Sequence, residues 1–260
     1  MKLPTIGVVG GVGPLAGATL VQKIYEDSGA CCDQAQPRVL LASYPSEIPD
    51  RTTFLLGGSD TNPSVGLRRV LRDLKAGGAT VAGIACVTAH AEPIFADIRA
   101  HAEEHPQLLS LTDEIKRVVE SMGIKRLGVL STKGTYQVRL FQDLFRDHTC
   151  RPVFCDQATR EQVHQAIYSL KSSQFGRFDS AAAVVRSAAS ELIAQGAEAV
   201  LLGCTELPIL LPEAELNGVP LLDPLKILAG ALREVNEEQN RVFLEGLHQT
   251  CRRLCGSCSG

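Results

Sequence analysis

No apolar run in this 260-residue chain approaches the roughly 18 residues needed to cross a bilayer. The opening, Met1-Lys2-Leu3-Pro4-Thr5-Ile6-Gly7, lacks the apolar stretch and small-residue cleavage site of a secretory leader. No membrane span is expected, and a cytoplasmic location is. An excess of one charge is missing too: the formal net charge of −3 leaves no footprint for nucleic acid or an anionic membrane surface. Local basic residues remain available to a small acid. Cysteine, by contrast, is plentiful. Nine of them, an odd number without a leader, fit reduced thiols better than a disulfide framework. Cys31 and Cys32 are adjacent, and Cys150 and Cys155 fall in a turn and a strand. These four read as small buried or incidental residues.

Two other cysteines end near-copies of one pattern. Gly78-Ala79-Thr80-Val81-Ala82-Gly83-Ile84-Ala85-Cys86 is matched by Gly196-Ala197-Glu198-Ala199-Val200-Leu201-Leu202-Gly203-Cys204. Each thiol stands eight residues after its first glycine, and a threonine, Thr88 or Thr205, follows within two positions. An earlier pair, Ile6-Gly7-Val8-Val9 and Leu127-Gly128-Val129-Leu130, recurs at nearly the same offset. A third echo pairs Leu109-Ser110-Leu111-Thr112-Asp113 with Leu221-Leu222-Asp223-Pro224. A duplicated α/β half-domain accounts for all three. It would set two thiols on opposite sides of one ligand, the minimum needed to move a proton between the two faces of a carbon.

The short, fully apolar, β-branched run at 6–9 reads as a strand of a buried parallel sheet, and 39–44, 81–85, 127–130, 153–155 and 199–202 read as further strands. Helical spacing follows them at 14–25, 65–76, 137–145, 162–170 and 181–194. Strand–helix alternation predicts an α/β fold of two pseudo-symmetric, Rossmann-like (flavodoxin-like) lobes with parallel sheets and a cleft between them. The first lobe is expected to span residues 1–107 and, after the chain returns, 213–260; the second spans 108–212. In such folds ligands sit beyond the carboxyl ends of strands.

Gly11-Val12-Gly13-Pro14-Leu15-Ala16 matches a dinucleotide fingerprint, yet the second strand ends Ala42-Ser43-Tyr44 without the acid that would hold a ribose, and no Walker lysine is present. Glycines admitting a small anion to a helix N-terminus are the better reading. Helices starting at Thr88 and Thr205 would favour the thiolates of Cys86 and Cys204. His90, four residues after Cys86, is either a base toward that thiol or a packing histidine. Glu206 either hydrogen-bonds in the site or stabilises a helix start. Arg51 in the 45–52 loop has the chemistry for a carboxylate, although an arginine alone is usually just solvated, and Lys171 is no stronger by itself. The tail His248-x2-Cys251-x3-Cys255-x2-Cys258 has metal-like spacing. Its Gly-Ser-rich end reads as a frayed terminus instead, so no metal is expected.

With these residues assembled, the chain resembles the cofactor-independent aspartate/glutamate racemase family over residues 6–230. The resemblance is carried by Gly10–Ala16, Ile48-Pro49-Asp50-Arg51-Thr52, Cys86-Val87-Thr88-Ala89-His90 and Leu202-Gly203-Cys204-Thr205-Glu206-Leu207-Pro208. It implies racemisation of aspartate or glutamate by thiol/thiolate proton transfer, with Cys86 and Cys204 as the catalytic pair. It also implies no cofactor, neither pyridoxal phosphate nor metal, and a homodimer. Arg51, Thr88, Thr132, Lys171 and Thr205 fall where the family holds its substrate. A related decarboxylase or isomerase of a small diacid, or a binder of acidic amino acids, would share these features. The family usually carries Cys-Asn-Thr where this chain has Cys86-Val87-Thr88. If position 87 faces the substrate, the lost amide slows the reaction or shifts its substrate, and Val87→Asn should raise kcat/KM.

Overall fold

Strands with no polar face need cover on both sides, and the central strands here have it. β1 (Ile6–Gly10) is buried at every position. The computed structural model describes residues 3–172 and 178–255, with side chains as far as residue 245. In it β1 lies between β2 (Val39–Ser43) and β3 (Val81–Ile84), and β4 (Gln107–Leu109) completes a four-stranded, all-parallel sheet in the order β2-β1-β3-β4. β5 (Arg126–Leu130), β6 (Arg151–Val153), β7 (Ala199–Leu202), β8 (Glu215–Leu216) and β9 (Val219–Leu222) form the second sheet, ordered β6-β5-β7-β9-β8. Only the short β8 runs antiparallel. The parallel part of the second sheet repeats the order of the first, strand for strand. That is the duplication legible in the sequence.

Helices fill the crossovers. The first half has α1 (Pro14–Glu26), α2 (Arg51–Leu55), α3 (Ser64–Ala76), α4 (Glu92–Ala100) and α5 (Leu111–Ser121). The second has α6 (Lys133–Gln137), α7 (Leu140–Leu144), α8 (Gln157–Ser172), α9 (Asp179–Ala194), α10 (Leu207–Leu210) and the long α11 (Pro224–Cys255). The two exit segments become the last parallel strand of each sheet, β4 and β9. Each then enters a capped helix. Ser110 Oγ accepts from the Asp113 N–H at 3.3 Å for α5, and Asp223 Oδ1 accepts from the Leu225 N–H at 2.8 Å for α11. Such side-chain oxygens replace the missing carbonyl partners of a helix's first N–H groups.

Two details differ from expectation. The helix expected over 137–145 is the shorter α7, and α6 precedes it; Arg139, in a left-handed turn with φ of 55°, separates the two. The chain comes back to the first sheet at Pro224 rather than 213, since β8 and β9 first extend the second sheet. α11 then packs on α1, α5 and strands β1, β3 and β4. One apolar cluster runs from Ile6 and Val8 of β1 through Leu111 and Leu225 to Leu127 and Val129 of β5, so the halves share a core. No helix among the described residues is long and apolar enough to cross a membrane.

The loop after β2 is held down by a close approach. A Cβ on Gly66 of α3 would lie 2.3 Å from the Glu47 carbonyl oxygen. Backbone cannot yield as a side chain can, so the extra methyl would displace the turn that carries Arg51. Gly66→Ala should therefore destabilise the fold by about 1–3 kcal/mol, measured by denaturant unfolding. An unchanged midpoint would show that the 45–51 turn is not tied to α3.

Candidate active site

Cys86, Thr88, Thr132, Cys204 and Thr205 lie just past the carboxyl ends of parallel strands, and the two sets of strand ends meet. In the first half, Asp50 Oδ1 caps α2 by accepting from the Thr53 N–H at 2.8 Å. That capping sets Arg51 on the first turn with its side chain turned inward. Its Nη2 donates to the Val12 carbonyl at 2.8 Å and its Nη1 to the Pro49 carbonyl at 3.3 Å. The guanidinium Nε is buried without a partner. Burial alone would disfavour the charge, yet Cys86 beside it, with Asp50 and Glu206, holds Arg51 above its ordinary pKa. Cys86 follows β3 and is only 5% exposed.

In the second half, Cys204 follows β7 and is 4% exposed. Its Sγ–H donates to Glu206 Oε2 at 3.0 Å, and Thr205 Oγ1 donates to the same oxygen at 3.2 Å. Glu206 Oε1 stands 3.7 Å from the Lys171 ammonium, delivered by α8. Burial first, and Glu206 second, push the Cys204 thiol well above its usual pKa, while Lys171 opposes them. Burial pulls Lys171 down, but Glu206, Cys204 and Cys86 outweigh it and keep the ammonium charged. Lys171 thus senses both thiols. The remaining residues knit the halves together. Thr132 Oγ1 accepts from Thr52 Oγ1 at 3.3 Å and lies 3.4 Å from Thr88 Oγ1. Thr205 Oγ1 also reaches the Ala85 carbonyl at 3.4 Å. On the rim, Tyr168 of α8 donates to Asp50 Oδ1 at 2.8 Å.

Several expectations need correction. The glycine turn after β1 faces this chain's own anion: a Cβ on Gly13 would meet Glu206 Oε1 at 2.6 Å, and the Gly13 φ of 123° suits glycine alone. The thiols gain little from helix dipoles. Only a single 3-10 turn, Thr88–His90, follows Cys86, and four-residue α10 follows Cys204, with no side-chain cap at either. The dipole effect needs more aligned peptides than that. His90 is a packing histidine. Its Nδ1 contacts the Cys86 carbonyl at 2.9 Å and its Nε2 accepts from the Leu111 N–H at 3.1 Å, which fixes the Nδ1–H tautomer and leaves no nitrogen for a thiol. Val87 is buried in the apolar cluster joining the halves. Glu206, left open by the sequence, is the residue in direct contact with a thiol. Among the described residues no cluster of His, Cys, Asp or Glu is arranged to hold a metal ion. The side chains of His248, Cys251, Cys255 and Cys258 lie outside the described residues.

The model of the Asp/Glu/Hydantoin racemase family matches residues 9–232. The chain belongs to that family. Among solved structures, the racemase-family chain is similar to an aspartate racemase from Picrophilus torridus, with a TM-score of 0.76, 24% identity, and coverage of 90% of this chain and 94% of that one. It is also similar to glutamate racemase from Francisella tularensis, crystallised with D-glutamate. There the TM-score is 0.64 at 16% identity, covering 92% of this chain and 83% of that one. Allantoin racemase from Klebsiella pneumoniae shares the fold at a TM-score of 0.54 and 14% identity, over 89% and 87% of the two chains. At these identities the likeness speaks for the two-lobed fold.

Two outcomes follow for this family member. Burial pulls His90 down to a pKa of about 4. Because the folded state resists its protonation while the unfolded chain binds the proton near pH 6.5, stability is fullest above that value. It declines as pH falls from 6.5 toward 4, by on the order of 3 kcal/mol in all. An imidazole NMR titration should find His90 neutral at pH 5.5; an ordinary midpoint would overturn its assignment to packing. Val87→Asn should bury an amide without partners, lowering stability by about 1–3 kcal/mol with no gain in kcat/KM. A faster, equally stable variant would return position 87 to the substrate.

Proposed function

We propose that this protein racemises an acidic amino acid, aspartate ahead of glutamate, by proton transfer between Cys86 and Cys204 on opposite faces of the α-carbon. One observation carries the reading. Two buried thiols from equivalent places in the duplicated halves stand near two cations: Arg51 lies beside Cys86, and Lys171 pairs at 3.7 Å with the Glu206 that accepts from Cys204 Sγ. An unmatched Arg51 Nε adds a donor awaiting an acceptor. A dicarboxylate would satisfy both cations, whereas an uncharged ureide such as allantoin would leave them without new counter-charge. Arginine favours this role because its planar fork matches a carboxylate.

In one direction the Cys86 thiolate takes the α-proton. The C–H electron pair moves into the α-carboxylate, and Arg51 and Lys171 stabilise the charge that develops there. Cys204 Sγ–H then delivers its proton to the other face. Cys86 ends as thiol and Cys204 as thiolate, and the reverse reaction exchanges the roles. Free thiols near pKa 8.5 are only roughly 3% ionised at pH 7. Glu206 keeps the Cys204 proton in place: its carboxylate accepts from Cys204 Sγ and, with burial, favours the thiol, the form that donates. Thr88, Thr132 and Thr205 offer hydroxyls to the substrate's carboxylates and ammonium.

A chiral assay tests this directly. Cys86→Ser and Cys204→Ser should each slow racemisation of aspartate by about 10²–10⁴-fold, the usual worth of a positioned proton-transfer group. Glu206→Gln should lower kcat and shift the basic limb of its pH profile, and Glu206→Asp should recover part of the loss. Racemisation at the wild-type rate by Cys204→Ser would end the two-thiol reading. A diacid decarboxylase or isomerase would instead consume a substrate lacking an α-amino group, and a mere binder would turn over nothing.

A further inference from the structure

The last rung of the β5–β7 ladder pairs Leu130 with Leu202, just as Val9 pairs with Ile84 in the first sheet. One more backbone bond follows in each half: the Gly203 N–H donates to the Leu130 carbonyl at 2.7 Å, and the Ala85 N–H to the Val9 carbonyl at 3.2 Å. Each cysteine N–H then turns back to its strand, Cys204 to the Leu202 carbonyl and Cys86 to the Ile84 carbonyl, both at 2.8 Å. Past this point the halves differ. Ser131, fully buried, donates its hydroxyl to the Gly203 carbonyl at 2.7 Å. The equivalent position in the first half is Gly10, which has no hydroxyl to give. There the Ala85 carbonyl depends on Thr205 Oγ1 at 3.4 Å, whose single proton is also claimed by Glu206 Oε2 at 3.2 Å.

The hydroxyl stands where the backbone needs it. Glycine precedes Cys204, whereas alanine precedes Cys86. A glycine loosens the chain around it, and no larger residue fits there: a Cβ on Gly203 would lie 2.8 Å from the Leu130 carbonyl oxygen. The Ser131 bond removes that freedom. The Gly203 carbonyl and the Cys204 N–H belong to one planar peptide, and both of its ends are held. Ser131 is itself fixed: its N–H donates to Tyr136 Oη at 3.0 Å, and its Oγ accepts from Thr135 Oγ1 at 2.6 Å. We propose that Ser131 is a positioning residue for Cys204, holding the peptide from which the thiol projects so that Sγ keeps its place against Glu206 Oε2. The assignment rests on the racemase reading and adds to it a group that acts through one thiol only.

Initial rates with each enantiomer of aspartate, unlabelled and α-deuterated, test the assignment. Ser131→Ala should lower kcat by about tenfold, the worth of one hydrogen bond, with KM little changed and circular dichroism native. A mere loss of active protein would lower kcat and leave the isotope effects alone. A misplaced Cys204 instead slows proton transfer at one face. The α-deuterium effect on kcat/KM should then rise for the enantiomer that Cys204 deprotonates and not for the other. Ser131→Cys retains a side chain but donates weakly, so it tests the role even if Ser131→Ala fails to fold. Wild-type kcat in either folded variant overturns the assignment, and so do isotope effects that match the wild type for both enantiomers. Failure of the racemase reading looks different: the wild type itself racemises nothing, or Cys204→Ser keeps full activity.

Discussion

The Glu206 carboxylate is the contact on which the closed site depends. Arg51 and Lys171 are cations taken out of water, which is costly unless opposite charge meets them. Asp50 serves Arg51 from its own loop. Glu206 reaches from the second half to Lys171 and Cys204, and lies against the Gly13 turn of the first half. One carboxylate thereby sets the protonation of a thiol, balances an ammonium and closes the gap between the lobes. Such a pair contributes little net stability, yet removing one partner leaves a buried charge behind and costs about 3–5 kcal/mol. Its value lies in where it holds the proton.

Duplication explains the placement of the thiols, and divergence explains why they are not equivalent. The parallel strands keep one order in both sheets, so β3 and β7 deliver Cys86 and Cys204 to matching positions. Their surroundings then part. Cys86 has a guanidinium beside its sulfur and its carbonyl tied to His90. Cys204 has a carboxylate as its hydrogen-bond acceptor. An anion favours the thiol form of Cys204, as burial does, which suits a group that donates a proton.

The sequence disclosed the fold well because its central strands are short apolar runs between glycines, a pattern few other elements share. It disclosed the strand-end residues too, since position at a strand's carboxyl end follows from topology alone. What stayed hidden was direction. Nothing in Cys86-Val87-Thr88 says that Val87 joins the core shared by the halves. The short 3-10 turn that decides this is too brief to leave a periodicity. Glu206 was ambiguous for the same reason: its partners, Lys171 and Gly13, are distant in sequence and meet it only in the folded chain. The left-handed Arg139 that splits α6 from α7 carries no glycine to announce it.

The central claim is that two different thiols serve the two faces of one carbon. Proton NMR of L-aspartate racemised in heavy water, combined with chiral separation at early times, tests it most directly. Two bases predict that newly formed D-aspartate carries deuterium at the α-carbon while the remaining L-aspartate still carries protium. Loss of α-protium from the residual L-aspartate as fast as D-aspartate appears, or D-aspartate formed with its original proton, would contradict the account.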